Sequence, residues 1–184
     1  PNRKPRKKKR ERAPLAAGTL FNFSDEITTR EIGKNAQGLK FFHEWLQKKN
    51  ISPADLGVAK LEEVVPIENP KDLRARQKEN LKAANRVFYY TSRFRQEATS
   101  ERFRWLSEAV HDVHGPEVRS STLTADHPYF GNTGLGMGMG PDPAWNRTAL
   151  AADWFDLART KAVDVVGVED WMGLQYMYGP GFTF

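Results

Sequence analysis

The residues best suited to chemistry are carboxylates that follow short apolar stretches. Leu20-Phe21-Asn22-Phe23-Ser24-Asp25-Glu26 alternates large apolar with small polar residues, which predicts a strand ending in two acids. Two carboxylates at such a point are costly to bury unless they are paired or used. Glu26 could act as a general acid/base, with Asp25 contacting substrate or setting the pKa of its neighbour. The pair could equally open a helix or turn, where acids favour the dipole. The arrangement recurs in Val163-Asp164-Val165-Val166-Gly167-Val168-Glu169-Asp170-Trp171. There Glu169 and Asp170 could accept hydrogen bonds from sugar hydroxyls while the Trp171 indole stacks on a pyranose ring. Alternatively they are loop acids beside a core Trp. A third cluster, Thr124-Ala125-Asp126-His127-Pro128-Tyr129, offers Asp126 and His127 as ligand contacts. Neighbours in sequence usually point apart, so these two are not expected to form a catalytic dyad.

Other motifs fail on spacing. Gly134-Leu135-Gly136-Met137-Gly138-Met139-Gly140 has glycine at every second position, and no Gly-Lys-Ser/Thr follows, so neither a dinucleotide fingerprint nor a P-loop is met. A flexible active-site loop is expected instead. His43, His111 and His114 fall on predicted helices without partners at ligand spacing. Cysteine is absent, which excludes disulfides and thiolate metal sites. No cofactor and no metal are expected.

The acids need strands to hold them. Leu20–Ser24, Val118–Thr124 and Val163–Val168 are predicted strands. Gly38–Lys49 is a predicted helix with Leu39, Phe42, Trp45 and Leu46 on one face. Ser52–Gly57 reads as a short helical turn with Pro53 at its first position and Gly57 as its stop. Asn69-Pro70 opens a long helical region that Gly115-Pro116 ends, either continuous or broken near Gln96–Ser100. Its apolar stripe is expected to include Leu73, Leu81, Ala84, Phe88, Tyr89, Phe94, Phe103, Leu106, Val110 and Val113. Trp145–Thr160 is a further helix with Leu150, Trp154, Leu157 and Ala158 inward. Alternating strands and helices imply an α/β fold with a parallel sheet and right-handed crossovers. Three such strands are too few to close a barrel, so the chain is expected to be part of something larger.

The 184 residues suit about one domain. No apolar run approaches the ~18 residues of a membrane span, and no apolar stretch follows the basic N-terminus as a secretory signal would require. A soluble chain with no membrane partner is expected. The net charge of +5 divides unevenly: residues 1–12 hold eight Lys/Arg and one Glu, and the body is mildly acidic. Residues 1–18 are expected to be a disordered basic arm or loop, and 19–184 the domain. Such an arm can bind nucleic acid or serve as a nuclear address. The body has no RNP, zinc-finger or helix-turn-helix pattern, so nucleic acid is not the expected partner.

Four stretches together resemble the catalytic barrel of family-42 glycoside hydrolases, the β-galactosidase-like members of the retaining-glycosidase clan. Phe21–Glu26 resembles the fourth barrel strand ending at the acid/base Glu. Phe41–Lys49 with the Ser52–Gly57 turn resembles the helix in the long excursion after it. Phe94–His114 into Val118–Thr124 resembles the next helix and strand, and Ala162–Gly167 the sixth strand. The resemblance covers most of residues 20–171. It implies a partial (β/α)8 TIM barrel acting on carbohydrate, with two carboxyl groups ~5–5.5 Å apart in the whole family site. Glu26 would be the acid/base, and Glu169 and Asp170 substrate contacts rather than the nucleophile, which the family carries on its seventh strand. The clan has Asn before its acid/base where this chain has Asp25, and a carboxylate there raises its neighbour's pKa. The rest of the barrel, or a second copy, is the implied partner. The segment alone is expected to be inactive. The alternative is a non-catalytic degenerate barrel, or an interaction protein using the basic arm on nucleic acid.

Overall fold

A computed structural model describes residues 15–16, 18–23, 29, 32–33, 35–124 and 153–168. Three strands, β1 (Leu20–Asn22), β2 (Arg119–Thr124) and β3 (Val165–Val168), form one sheet in the order β1-β2-β3. Both pairings are parallel: Phe21 lies opposite Ser120, and Thr122 opposite Val166. Between β1 and β2 come α1 (Ala36–Lys48), two 3-10 turns (Pro53–Leu56 and Leu61–Glu63), α2 (Pro70–Gln77) and α3 (Leu81–His114). Between β2 and β3 the described helix is α4 (Trp154–Arg159). The chain is therefore a mixed α/β fold with a parallel sheet.

Local chemistry sets the helix ends. The Asn35 side chain accepts from the Gly38 N–H, that of Asn69 from Asp72, and that of Asn80 from Ala83, each capping one helix start. Pro70 follows its cap at a position where its missing N–H costs nothing. Gly57 ends the first turn at φ +73°, a left-handed conformation that glycine adopts freely.

Two cores share α3. The first gathers Ile32, Phe42, Leu46, Leu56, Val64, Ile67, Leu73, Ala84 and Val87. It belongs to a helical cap made by the excursion after β1. Full burial of side chains such as Phe42 and Leu46 contributes about 1.5–3 kcal/mol each. The second core, Phe103, Leu157, Ala162 and Val163 with Phe23 and Val166, seals α3 and α4 against one face of the sheet. At ~1.5 Å per residue α3 is about 50 Å long, whereas β2 spans only ~20 Å. Its C-terminal half runs down the sheet: Phe103 meets Phe23 just past β1, and His111 meets Asp164 just before β3. The N-terminal half therefore projects past the strands' carboxyl ends and carries the cap.

The buried face of α3 turns as it passes between the cores. Ala83, Ala84, Val87 and Thr91 are buried in the N-terminal half, and Thr99, Ser100, Phe103, Ser107 and Val110 in the C-terminal half. At ~100° per residue the midpoints of these two sets differ by roughly 150° around the axis. A single apolar stripe therefore does not describe the helix. Leu81, Tyr89, Leu106 and Val113, expected inside, are exposed. Ala158 of α4 is exposed as well, while Leu157 is fully buried.

Candidate functional site

Parallel pairing brings the carboxyl ends of the three strands side by side. Asn22 lies opposite Ser121, and Thr124 opposite Val168. The Phe23 N–H donates to the Ser121 carbonyl at 2.9 Å, so the ladder continues one residue past β1. The Phe23 ring lies 6.1 Å from that of Phe103. The predicted site residues Asp25, Glu26, Asp126, His127, Glu169, Asp170 and Trp171 lie outside the described residues, as does the basic arm. What the structure describes is the frame around the three points where the chain leaves the sheet.

The best-defined part of that frame is a clamp on the segment after β1. Thr29 is buried, and its carbonyl accepts from Arg95 Nη2 at 3.1 Å. The Glu68 carboxylate accepts from Ile32 N–H at 2.5 Å and from Gly33 N–H at 3.1 Å. Arg95 Nη1 lies 4.0 Å from Glu68 with its side chain only 2% exposed. A buried charge pair costs several kcal/mol per ion in desolvation, so apolar residues would serve stability better at this point. Two charged residues distant in sequence converge on one short stretch of backbone and satisfy polar groups that would otherwise be buried without partners. The same stretch leans on α1. A Cβ on Gly38 would overlap the Ile32 carbonyl oxygen.

Arg95 and Glu68 were not among the residues expected from sequence. The available signal lay in α3, where Val87, Thr91, Arg95, Thr99, Phe103 and Ser107 repeat every fourth residue and are all buried. Polar residues at helical spacing within an apolar progression mark a place where a helix must satisfy another segment's backbone.

Beside the clamp lies a cleft of about 230 Å³, walled by Ile32, Phe41, Phe94, Arg95, Thr99 and Arg102. The Arg102 guanidinium lies over the Phe103 ring at 4.8 Å. Two larger clefts lie elsewhere, one along α1 and the other mainly between α3 and α4. One, of about 440 Å³, includes His43, Glu44 and Glu62. The other, of about 480 Å³, includes Lys49, Arg93, Glu97 and Asp156. Charges in the latter are mutually engaged: Glu97 accepts from Trp45 Nε1 at 2.9 Å and pairs with Lys49 at 2.9 Å, and Arg93 pairs with Asp153 at 3.0 Å. Burial works against the Arg93 charge, but Asp153 and Glu97 outweigh it and raise its pKa.

A second polar cluster sits at the opposite end of the sheet. One Asp164 oxygen accepts from Ser120 N–H at 2.7 Å, from the Ser120 hydroxyl at 2.8 Å, and meets His111 Nε2 at 2.9 Å. The Ser107 and Ser120 hydroxyls are 2.5 Å apart. The residue types suggest a nucleophilic triad, but the connectivity differs. Asp164 stands in the centre, and its contact is with both the serine and the histidine, so His111 is not placed as a base for Ser120. Ser120 is fully buried. The cluster locks α3 to the amino-terminal edge of β2 and to the approach to β3, the end that serves stability in parallel α/β folds. His111 thus has Asp164, and His43 Nε2 meets the Val64 carbonyl at 2.8 Å. Among the described residues no group of three or more His, Cys, Asp or Glu could hold a metal ion. No described helix is long and apolar enough to cross a membrane. No protein-family model, curated protein or solved structure matches the chain.

Proposed function

We propose that this chain is part of a (β/α)8 TIM-barrel, glycosidase-like enzyme that acts on carbohydrate, with Glu26 as acid/base. Asp25, Asp126, His127, Glu169, Asp170 and Trp171 would be its substrate contacts. The observation that carries the reading is the sheet: three strands, adjacent in sequence order and parallel, with their crossover helices on one face. Such a sheet gathers its carboxyl ends at one edge, where barrel and open α/β enzymes place their sites. The sequence puts acidic or aromatic clusters directly after all three strands. The resemblance to family-42 glycoside hydrolases supports the reaction class.

Two further features favour the reading. The sheet face away from the helices carries Leu20, Asn22, Arg119, Ser121, Leu123, Val165 and Gly167, and above its amino-terminal Leu20–Arg119 pair it is a mixture of small, polar and branched residues that suits a barrel interior. The clamp also fixes the backbone just beyond Glu26 with buried charge, a costly device that a plain surface loop would not need. Positioned carboxyl groups are what glycoside hydrolysis requires, because the acid must reach the leaving oxygen within hydrogen-bond distance.

The test is hydrolysis of a panel of nitrophenyl and natural-leaving-group glycosides by the full-length protein, wild type against Glu26→Gln. Loss of a general acid should slow turnover by about 10²–10⁴-fold on poor leaving groups. Equal rates in the two forms would remove Glu26 from the mechanism. A wild type inert on every glycoside would remove the reaction class.

A further inference from the structure

We propose that the cleft between α3 and α4 binds a neutral, polyhydroxylated ligand of sugar size, whose hydroxyls donate to the buried carboxylate of Asp156. The ligand class follows from this cleft alone, and neither Glu26 nor the reaction proposed above enters it.

Asp156 has an unmet bond. It is 2% exposed and lines the cleft of about 480 Å³. Its Oδ1 accepts from Arg159 Nη2. Its Oδ2 is buried and has no hydrogen-bond partner among the described residues. Buried polar atoms are almost always bonded, because an unpaired one keeps the full cost of losing water. Nearby groups are already engaged and cannot supply the donor. Lys49 pairs with Glu97, Arg93 with Asp153, and the Thr160 hydroxyl donates to the Asp156 carbonyl at 2.6 Å. The carboxylate is also held in place: the Asp156 N–H donates to Asp153 Oδ1 at 3.0 Å, and the next residue, Leu157, is fully buried.

What Asp156 lacks is a donor rather than a counter-charge. Arg159 pairs with it directly, and Arg93 lies near enough for the two charges to act on each other. A ligand ammonium would arrive beside two guanidinium groups and be repelled by both. A neutral hydroxyl meets no such penalty. Its bond to an ionised acceptor is also stronger than one between two neutral groups.

Access and size fit such a ligand. Oδ2 lies below the surface, whereas the Arg159 side chain is 69% exposed and reaches Asp156 only at Oδ1. Swinging Arg159 into solvent opens the carboxylate, and two vicinal hydroxyls can then span its two oxygens. Ser100 on the facing side of α3 is equally buried, lines the same cleft, and carries a hydroxyl that can donate or accept. The cleft's volume falls within the ~300–1,000 Å³ of small-molecule sites.

Titration of the full-length protein, followed by amide NMR shifts, tests this. The probes are galactose, inositol and galactosamine, the last protonated below neutral pH. Galactose or inositol should shift the Ser100, Asp156 and Thr160 amides saturably, and galactosamine should bind at least threefold more weakly than galactose. Asp156→Asn keeps the shape without the charge and should weaken neutral binding tenfold or more. Arg159→Ala, at an exposed position, should narrow the gap between galactose and galactosamine. Ser100→Ala, on a helix that alanine favours, should weaken neutral binding severalfold and serves as the second variant if Asp156→Asn does not fold. Tighter binding of galactosamine than of galactose would overturn the neutral assignment. Wild-type affinity in a folded Asp156→Asn, or in Ser100→Ala where that variant stands in, would overturn the role of this cleft. No saturable shift of these amides with either neutral probe would overturn the site and leave water as the partner of Oδ2. None of these outcomes bears on Glu26, whose test is hydrolysis.

Discussion

At Asp164 one carboxylate oxygen serves three donors and ties a helix to two strands. Burial by itself would raise the Asp164 pKa. The Ser120 N–H and hydroxyl, with His111, outweigh it and hold the carboxyl below the usual value. A folded-state pKa below the unfolded one means that protonation favours the unfolded chain. The contribution is therefore complete above about pH 4, the ordinary Asp range, and is lost as pH falls through the lower folded value. The urea midpoint of the wild type should drop below about pH 4, and its margin over Asp164→Asn should shrink over that range. A margin constant from pH 6 to pH 3 would rule the linkage out. Asp164 and His111 were visible in the sequence as an acid inside the predicted strand Val163–Val168, which the structure places just before β3, and a histidine on a helix. Their pairing was not, because it depends on how α3 lies across the sheet. Arg95 was marked by its place in the every-fourth-residue progression of α3, but its target and its partner Glu68 were not, because a stretch of backbone leaves no pattern of its own.

Among the elements, α1 is fixed by its start. Glycine inside a helix normally costs ~1 kcal/mol relative to alanine, so Gly→Ala there usually stabilises. Gly38 should behave in the opposite way, because the added methyl would meet the rigid Ile32 carbonyl and push the clamped segment off the helix. Gly38→Ala is expected to lower the thermal midpoint by several degrees, and a rise in that midpoint would contradict the packing. The sequence made helix punctuation legible wherever a side chain or a ring enforces it. Asn69-Pro70, Gly57 and Gly115 all fall at element ends as expected. The break in the long helical region was not legible. It falls at 78–80, where the Asn80 cap restarts the helix, while 96–100 continues unbroken. Within that unbroken stretch the Thr99 hydroxyl turns back to the Arg95 carbonyl at 2.9 Å, so this buried polar side chain is satisfied inside the helix. Strand existence and parallel pairing followed from the alternation of short apolar runs with helices, and the strand ends shifted by one or two residues.

For the whole molecule, the two cores make the cap and the sheet separate packing units on one continuous rod. A periodic reading of α3 misplaced its inner face because the period assumes one partner, and this helix has two in succession. The half-turn of its buried face also has a consequence for how the protein comes apart. Proteins open in cooperative blocks, each with its own free energy. Here the block boundary need not fall at a helix end. It should fall inside α3, near Arg95–Thr99, where polar side chains replace apolar ones in the interior. Amide hydrogen exchange along α3 should then show two classes with a step at that point, and Gly38→Ala should accelerate only the N-terminal class. Uniform exchange along the helix in both proteins would mean a single block. With the step present, the cap can melt and reform over intact strand ends, and the long helix frays from its middle outward toward the cap.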